Sequence, residues 1–142
     1  MSKMKYSWNA MCEVMRLVPP QQGTFREVFT NFTYAGYTIP KGWKVYWTVN
    51  TTNKSSKSFR NPGKFDPSRY EGREASAPYT YAPFGGRPRL CPRKEYAHLV
   101  VLTLIHNVVK KYKWEVLFPK EKVFGDMVPM PEKGVLICLH PH

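Results

Sequence analysis

One cysteine stands where its surroundings change its chemistry. Cys91 falls near the end of Phe84-Gly85-Gly86-Arg87-Pro88-Arg89-Leu90-Cys91-Pro92-Arg93, a turn-forming run directly ahead of a long apolar segment. Peptide N–H groups at a helix start are unpaired and carry partial positive charge, so they hydrogen-bond a sulfur there and favour its thiolate form. A thiolate is a nucleophile and a metal ligand; a loop cysteine without such a role is a structural thiol. Glu13 and Arg16 lie three apart, and Arg69 follows in Phe65-Asp66-Pro67-Ser68-Arg69-Tyr70. A carboxylate set between two guanidiniums gives each buried charge a partner. The bland alternative is an exposed helix pair worth about 0.3 to 0.5 kcal/mol.

The remaining reactive side chains are weaker. Cys12 shares the apolar spacing of Trp8 and Met15 and reads as a small core residue. Cys138, His140 and His142 alternate at a chain end, a poor basis for a closed metal site. His98 and His106 are eight residues apart, two turns, too far along one helix to share an ion.

These residues need elements to place them. Residues 5–17 read as a helix, with Trp8, Met11, Cys12 and Met15 at three-to-four spacing and Pro19-Pro20 as the stop. From Phe25 to about Val49, short aromatic and β-branched runs are broken at Ala35-Gly36 and Pro40-Lys41-Gly42, which predicts a small hairpin-built sheet. Residues 50–83 have the composition of irregular chain. Residues 94–112 predict a helix of about five turns. The tail alternates weakly at 116–118 and 135–139, with a turn at 129–131.

Length and composition bound the rest. The chain has 142 residues, enough for one domain, and its 42% hydrophobic content argues against disorder. Lys+Arg 22 against Asp+Glu 10 gives a formal charge of +12, which admits nucleic acid, an acidic membrane surface or an acidic protein as partner. Three cysteines without paired spacing argue against a disulfide framework. The start has no apolar run fit for a signal peptide, and residues 99–105, the longest apolar stretch, fall far short of the roughly 20 a membrane span needs.

Three segments of the chain resemble the motifs of one known family. Phe84, Arg89 and Cys91 fall on the Phe, Arg and Cys of FxxGxRxCxG, the haem-binding signature of cytochromes P450. Glu13-Val14-Met15-Arg16 is similar to ExxR, and Phe65 to Tyr70 looks like the loop whose Arg completes a Glu-Arg-Arg cluster. The three motifs occur in the family's order, and the resemblance spans nearly the whole chain. The wording of the stretches around residues 6–20, 25–50 and 92–97 is closest to plant triterpenoid oxidases, the group that includes beta-amyrin 28-oxidases.

The resemblance implies an α+β fragment of a mainly α parent fold: an ExxR-type helix, a small antiparallel sheet, a meander loop, a cysteine loop, a long helix and a terminal hairpin. It implies haem, with Cys91 as axial iron ligand and Phe84 packed beside the sulfur. Arg26, ten residues beyond Arg16, and Arg89 would reach the two propionates. Glu13, Arg16 and Arg69 would hold the scaffold, with no catalytic role. Gln21, Gln22, Gly23 and Thr24, together with Met127 and Val128, look like substrate-contacting positions. Implied too are an NADPH-cytochrome P450 reductase and an apolar triterpenoid or sterol-like substrate oxidised with O₂.

Departures shape a second expectation. Arg87 and Arg93 stand where the family has Gly, and each is expected to cost about 1 kcal/mol in strain if the backbone there is unusual. Residues 53–60 contain neither His nor Pro, unlike related plant enzymes. A complete member has a membrane-anchoring start and a distal helix with an acid-Thr pair, whereas this sequence opens at the ExxR helix. Residues 1–142 therefore read as a single incomplete domain, truncated and inactive alone, or a non-catalytic remnant. Family members sit on the cytosolic face of the endoplasmic reticulum; lacking an anchor, this chain is expected to be cytoplasmic or unplaced. Lys110-Lys111 and residues 120–122 form either a solvated face or part of the surface that receives a reductase. A basic binding protein is the competing class, but no nucleic-acid motif appears and the aromatics follow apolar patterns rather than a stacking platform.

Overall fold

The computed structural model describes residues 4–71, 80–86, 88–125 and 128–142. Helix α1, Lys5–Leu17, buries Asn9, Cys12, Glu13, Met15 and Arg16, a set at three-to-four spacing that forms one face. Its last N–H bond runs from Val18 to the Val14 carbonyl at 2.8 Å, after which Pro19 and Pro20 deny further donors. Its boundaries are those the sequence predicts.

Strand β1, Gly23–Glu27, leads to the hairpin of β2, Phe32–Tyr34, and β3, Tyr37–Ile39, and the chain returns as β4, Lys44–Thr48. Ala35 at φ 49° and Gly36 at φ 82° make the two-residue turn between β2 and β3, both in the left-handed region that matches a twisted hairpin. β4 pairs antiparallel with β1, from Gly23 opposite Thr48 to Glu27 opposite Lys44. The predicted single sheet is thus two separate two-stranded ladders, one nested inside the other.

The stretch predicted to be irregular contains two short helical turns. α2, Asn50–Asn53, is one turn. A 3-10 turn spans Pro67–Tyr70, where Asp66 accepts from the Ser68 backbone N–H at 3.1 Å and Pro67 occupies the first position. Both lean on α1.

Helix α3, Lys94–Lys111, is 18 residues long, and Leu102 is its one buried residue among those described. It passes without a turn into β5, Tyr112–Val116, which pairs antiparallel with β8, Ile137–Pro141. Inside that hairpin β6, Val123–Phe124, pairs with β7, Met130–Pro131. The tail therefore departs from expectation: the first strand starts four residues earlier than predicted, and Met130-Pro131 is a short edge strand rather than a turn. Proline is tolerated there because an edge strand leaves one side without ladder bonds.

Among the described residues the apolar core consists of Cys12, Met15, Val28, Phe59 and Leu102. The chain exposes 11533 Å², against about 7,600 Å² for a compact monomer of its mass. Among the described residues no helix is long and apolar enough to cross a membrane.

Candidate functional site

Among the described residues, Glu13 gathers a dense set of hydrogen bonds. Glu13 and Arg16 are both fully buried. Arg16 donates from Nε to Glu13 Oε2 and from Nη2 to Oε1, both at 2.8 Å, a bidentate pair. Its Nη1 donates to the Asn53 carbonyl at 2.6 Å, and its guanidinium lies 5.1 Å from the Phe59 ring centroid. Arg69 Nε and the Asp66 N–H each donate to Glu13 Oε1 at 3.0 Å. Arg69 also donates to the Arg60 carbonyl at 2.8 Å. Burial pushes the Glu13 carboxyl up, but Arg16, the Asp66 N–H and Arg69 together hold it below the usual carboxylate range. The hydrogen bond to Glu13 raises Arg16 in turn. The cluster thus ties α1 to α2 through Arg16 and to the 3-10 turn through Glu13, although its charged residues come from positions up to 56 residues apart.

From that anchor the chain proceeds to the cysteine loop. Tyr81 donates to the Cys12 carbonyl of α1 at 2.7 Å. Gly85 N–H then donates to Ala82 at 2.9 Å, and Arg89 N–H to Gly86 at 2.8 Å, two consecutive tight turns. Cys91 N–H closes the loop on the Phe84 carbonyl at 2.9 Å, and the Cys91 carbonyl accepts from Lys94 at 3.3 Å as α3 begins. Gly85 sits at φ +77°, and a Cβ there would lie 3.2 Å from the Arg89 carbonyl oxygen, so glycine is required. Cys91 is half-buried.

At Arg93 the condition for strain is not met, since its φ of −96° lies outside the left-handed region that favours glycine. Arg87 lies outside the described residues.

A cavity of about 210 Å³ opens against this loop. Arg26, Arg89 and Phe84 line it, as do Gln21, Gly23 and Thr24. Pro19, Pro20, Met15, Trp47 and Val49 give it an apolar wall. Gly23 is placed by contact: a Cβ would come within 2.3 Å of the Trp47 carbonyl oxygen, so any side chain there would part β1 from β4. Cys91 does not line the cavity, but its N–H bond to Phe84 ties it to the edge. Gln22 points elsewhere, donating to the Pro19 carbonyl at 3.3 Å. Val128 is exposed and away from the cavity, and Met127 lies outside the described residues.

Residues the sequence did not single out include Tyr70, Tyr81, Asn53 and Phe59. Asn53 and Phe59 lie in a stretch read as irregular, where no periodicity marks an inward residue. Tyr81 stands three residues before Phe84, and its aromatic type beside Pro83 was the available signal.

The cavity offers two guanidiniums to an anionic group. Among the described residues, Arg26 donates to Thr24 Oγ1 at 3.0 Å and to the Phe25 carbonyl at 2.9 Å, and no ion pair involves Arg26 or Arg89. Two guanidiniums without carboxylate partners on a shared apolar wall match two propionates in number and sign.

Fold and motif order are those of a haem-thiolate protein. The chain aligns with the retinoic acid-bound cyanobacterial CYP120A1 at a TM-score of 0.88 and 31% identity, over 99% of its own length and 33% of that chain. A cytochrome P450 family profile matches residues 1–139, and the chain belongs to that family. Among its relatives, a beta-amyrin 28-monooxygenase of Vitis vinifera is 58% identical over 99% of this chain, and one of Medicago truncatula is 56% identical over 100%. The chain spans 29% of the length of each of these relatives.

Proposed function

We propose that these residues form the cysteine-bearing haem wall of a monooxygenase acting on a triterpenoid. The observation that carries the reading is the shared wall on which Arg26, Arg89 and Phe84 meet beside the Cys91 loop. Arg26 and Arg89 would hold the propionates, Phe84 would shield the sulfur, and Cys91 would ligate iron. When bound, a thiolate-ligated haem supplies oxygen insertion from O₂ into an unactivated C–H bond, with electrons from a reductase.

The chain's own contribution is binding and orientation. The Glu13 cluster holds α1 and the meander in register, and the loop bonds fix where the sulfur emerges. Pro19, Pro20, Trp47 and Val49 give the cavity apolar lining that favours a hydrocarbon surface. The substrate class rests on the names of relatives at 56–58% identity. Reductase partnership, through the basic face that includes Lys110 and Lys111, and placement at the endoplasmic reticulum are part of the same proposal. So is inactivity of the 142 residues by themselves: they offer one wall, and most of the large apolar side chains described remain exposed.

Haem titration followed by triterpene addition tests the reading. Stoichiometric uptake that weakens about tenfold or more in Arg26→Gln or Arg89→Gln is expected, since a charge-assisted bond is worth about 1.5–3 kcal/mol. Uptake indifferent to both arginines would contradict it. Product formation by the 142 residues with reductase would contradict the expected inactivity alone.

A further inference from the structure

Two tyrosine hydroxyls converge on one backbone carbonyl of α1, and only one of them belongs to the segment that carries the cysteine loop. Tyr81 donates to the Cys12 carbonyl at 2.7 Å; Tyr70, from the 3-10 turn, reaches the same oxygen at 3.4 Å and Glu13 Oε2 at 3.3 Å. Their rings pack with centroids 5.3 Å apart. Burial raises both hydroxyls well above the ordinary phenol range, so each stays protonated and able to donate.

From Tyr81 to the sulfur the path is short and bonded throughout. Ala82, two carbonyls before the loop, accepts from Gly85, and Phe84 accepts from the Cys91 N–H. A second cavity of about 180 Å³, lined by Trp8, Cys12, Tyr81, Phe84 and Leu90 among others, lies behind the loop. The loop is therefore not held to α1 by close apolar packing along its length. The Tyr81 hydroxyl joins residues 80–91 to α1 through the Cys12 carbonyl.

We propose that Tyr81 is a positioning residue for Cys91: its hydroxyl bond to the Cys12 carbonyl fixes the loop against α1 and so sets where the sulfur is presented. The proposal rests on reading Cys91 as the ligand, yet its first consequence is visible in the protein alone. Tyr81→Phe keeps the ring and its packing against Tyr70 and removes the hydroxyl. The loop then opens more often, and the Cys91 thiol meets solvent more often.

The test is iodoacetamide alkylation of the 142-residue chain without haem, with the rate at Cys91 read by peptide mass mapping. Tyr81→Phe raises that rate roughly fivefold, the factor one net hydrogen bond is worth in an opening equilibrium. Tyr70→Phe, whose hydroxyl is on the meander and further from the carbonyl, leaves it near the wild-type value. With haem added, Tyr81→Phe also lowers the fraction of thiolate-type absorbance. Equal Cys91 rates and equal spectra in the two variants, with only a lower melting temperature, would overturn the proposal, since that is what a merely structural tyrosine does. Should Tyr81→Phe fail to fold, amide exchange on the wild type decides: the Cys91 N–H should be protected to the level of α1, and exchange as fast as an exposed loop would overturn it. A wild type without any thiolate-type band sinks the ligand reading and leaves the alkylation comparison standing.

Discussion

Neutralising the Glu13 carboxyl leaves the fully buried Arg16 guanidinium, and Arg69 beside it, without the negative charge they share. Glu13→Gln is expected to cost about 3–5 kcal/mol, because breaking a buried pair strands the surviving charge. Chemical denaturation of wild type and variant measures this. The same group fixes a pH dependence. The folded pKa lies below the ordinary 4.5, so the carboxylate's stabilisation is fully present above 4.5 and is lost as pH falls through the lower folded value. Melting temperatures stepped downward from pH 5 should fall in the wild type and change less in Glu13→Gln. Most of this cluster was legible in the sequence: Glu13, Arg16 and Arg69 sit in recognisable motifs. Asn53 was not, because it contributes a backbone carbonyl to Arg16, and backbone acceptors leave no mark on residue type.

Among the elements, two glycines report on how the site wall is built. Gly23→Ala drives a methyl into the Trp47 carbonyl at 2.3 Å, a contact with backbone that cannot turn aside, so β1 and β4 must separate. Gly85→Ala meets the Arg89 carbonyl at 3.2 Å in a left-handed conformation. Each should destabilise by about 1–3 kcal/mol, read as a drop in melting temperature. The first should disturb the cavity wall and the second the cysteine loop. Helix α1 was readable to the residue because a proline pair ends it, and α3 because eighteen residues carry no breaker. The tail was not. β5 grows straight out of α3 with no turn residue between Lys111 and Tyr112, and β8 runs into Pro141, so neither strand shows its boundary in composition. The two-ladder arrangement was equally hidden: Ala35-Gly36 announces a turn but not which strands the hairpin joins.

For the whole molecule, area decides. The excess of 11533 Å² over the roughly 7,600 Å² of a compact monomer sits partly on α3, where Leu104 is 61% exposed, and on the β2–β3 hairpin, where Tyr34 and Tyr37 are 72% and 77% exposed. Patches of that kind are sticky in water. The 142 residues in isolation should bind a hydrophobic dye such as ANS and associate as concentration rises, seen by gel filtration with light scattering. A dye-silent monomer would contradict the exposed faces described here. The sequence hinted at this surplus only through its 15% aromatic content, since composition says which residues want burial and not whether partners exist.

All of these scales converge on one sulfur at the start of α3. The most direct measurement is the difference spectrum of the haem-loaded, reduced chain under carbon monoxide, recorded beside Cys91→Ser. A red-shifted thiolate-type Soret band is expected in the wild type, and its disappearance in the variant. Identical spectra from the two proteins would contradict Cys91 as the ligand.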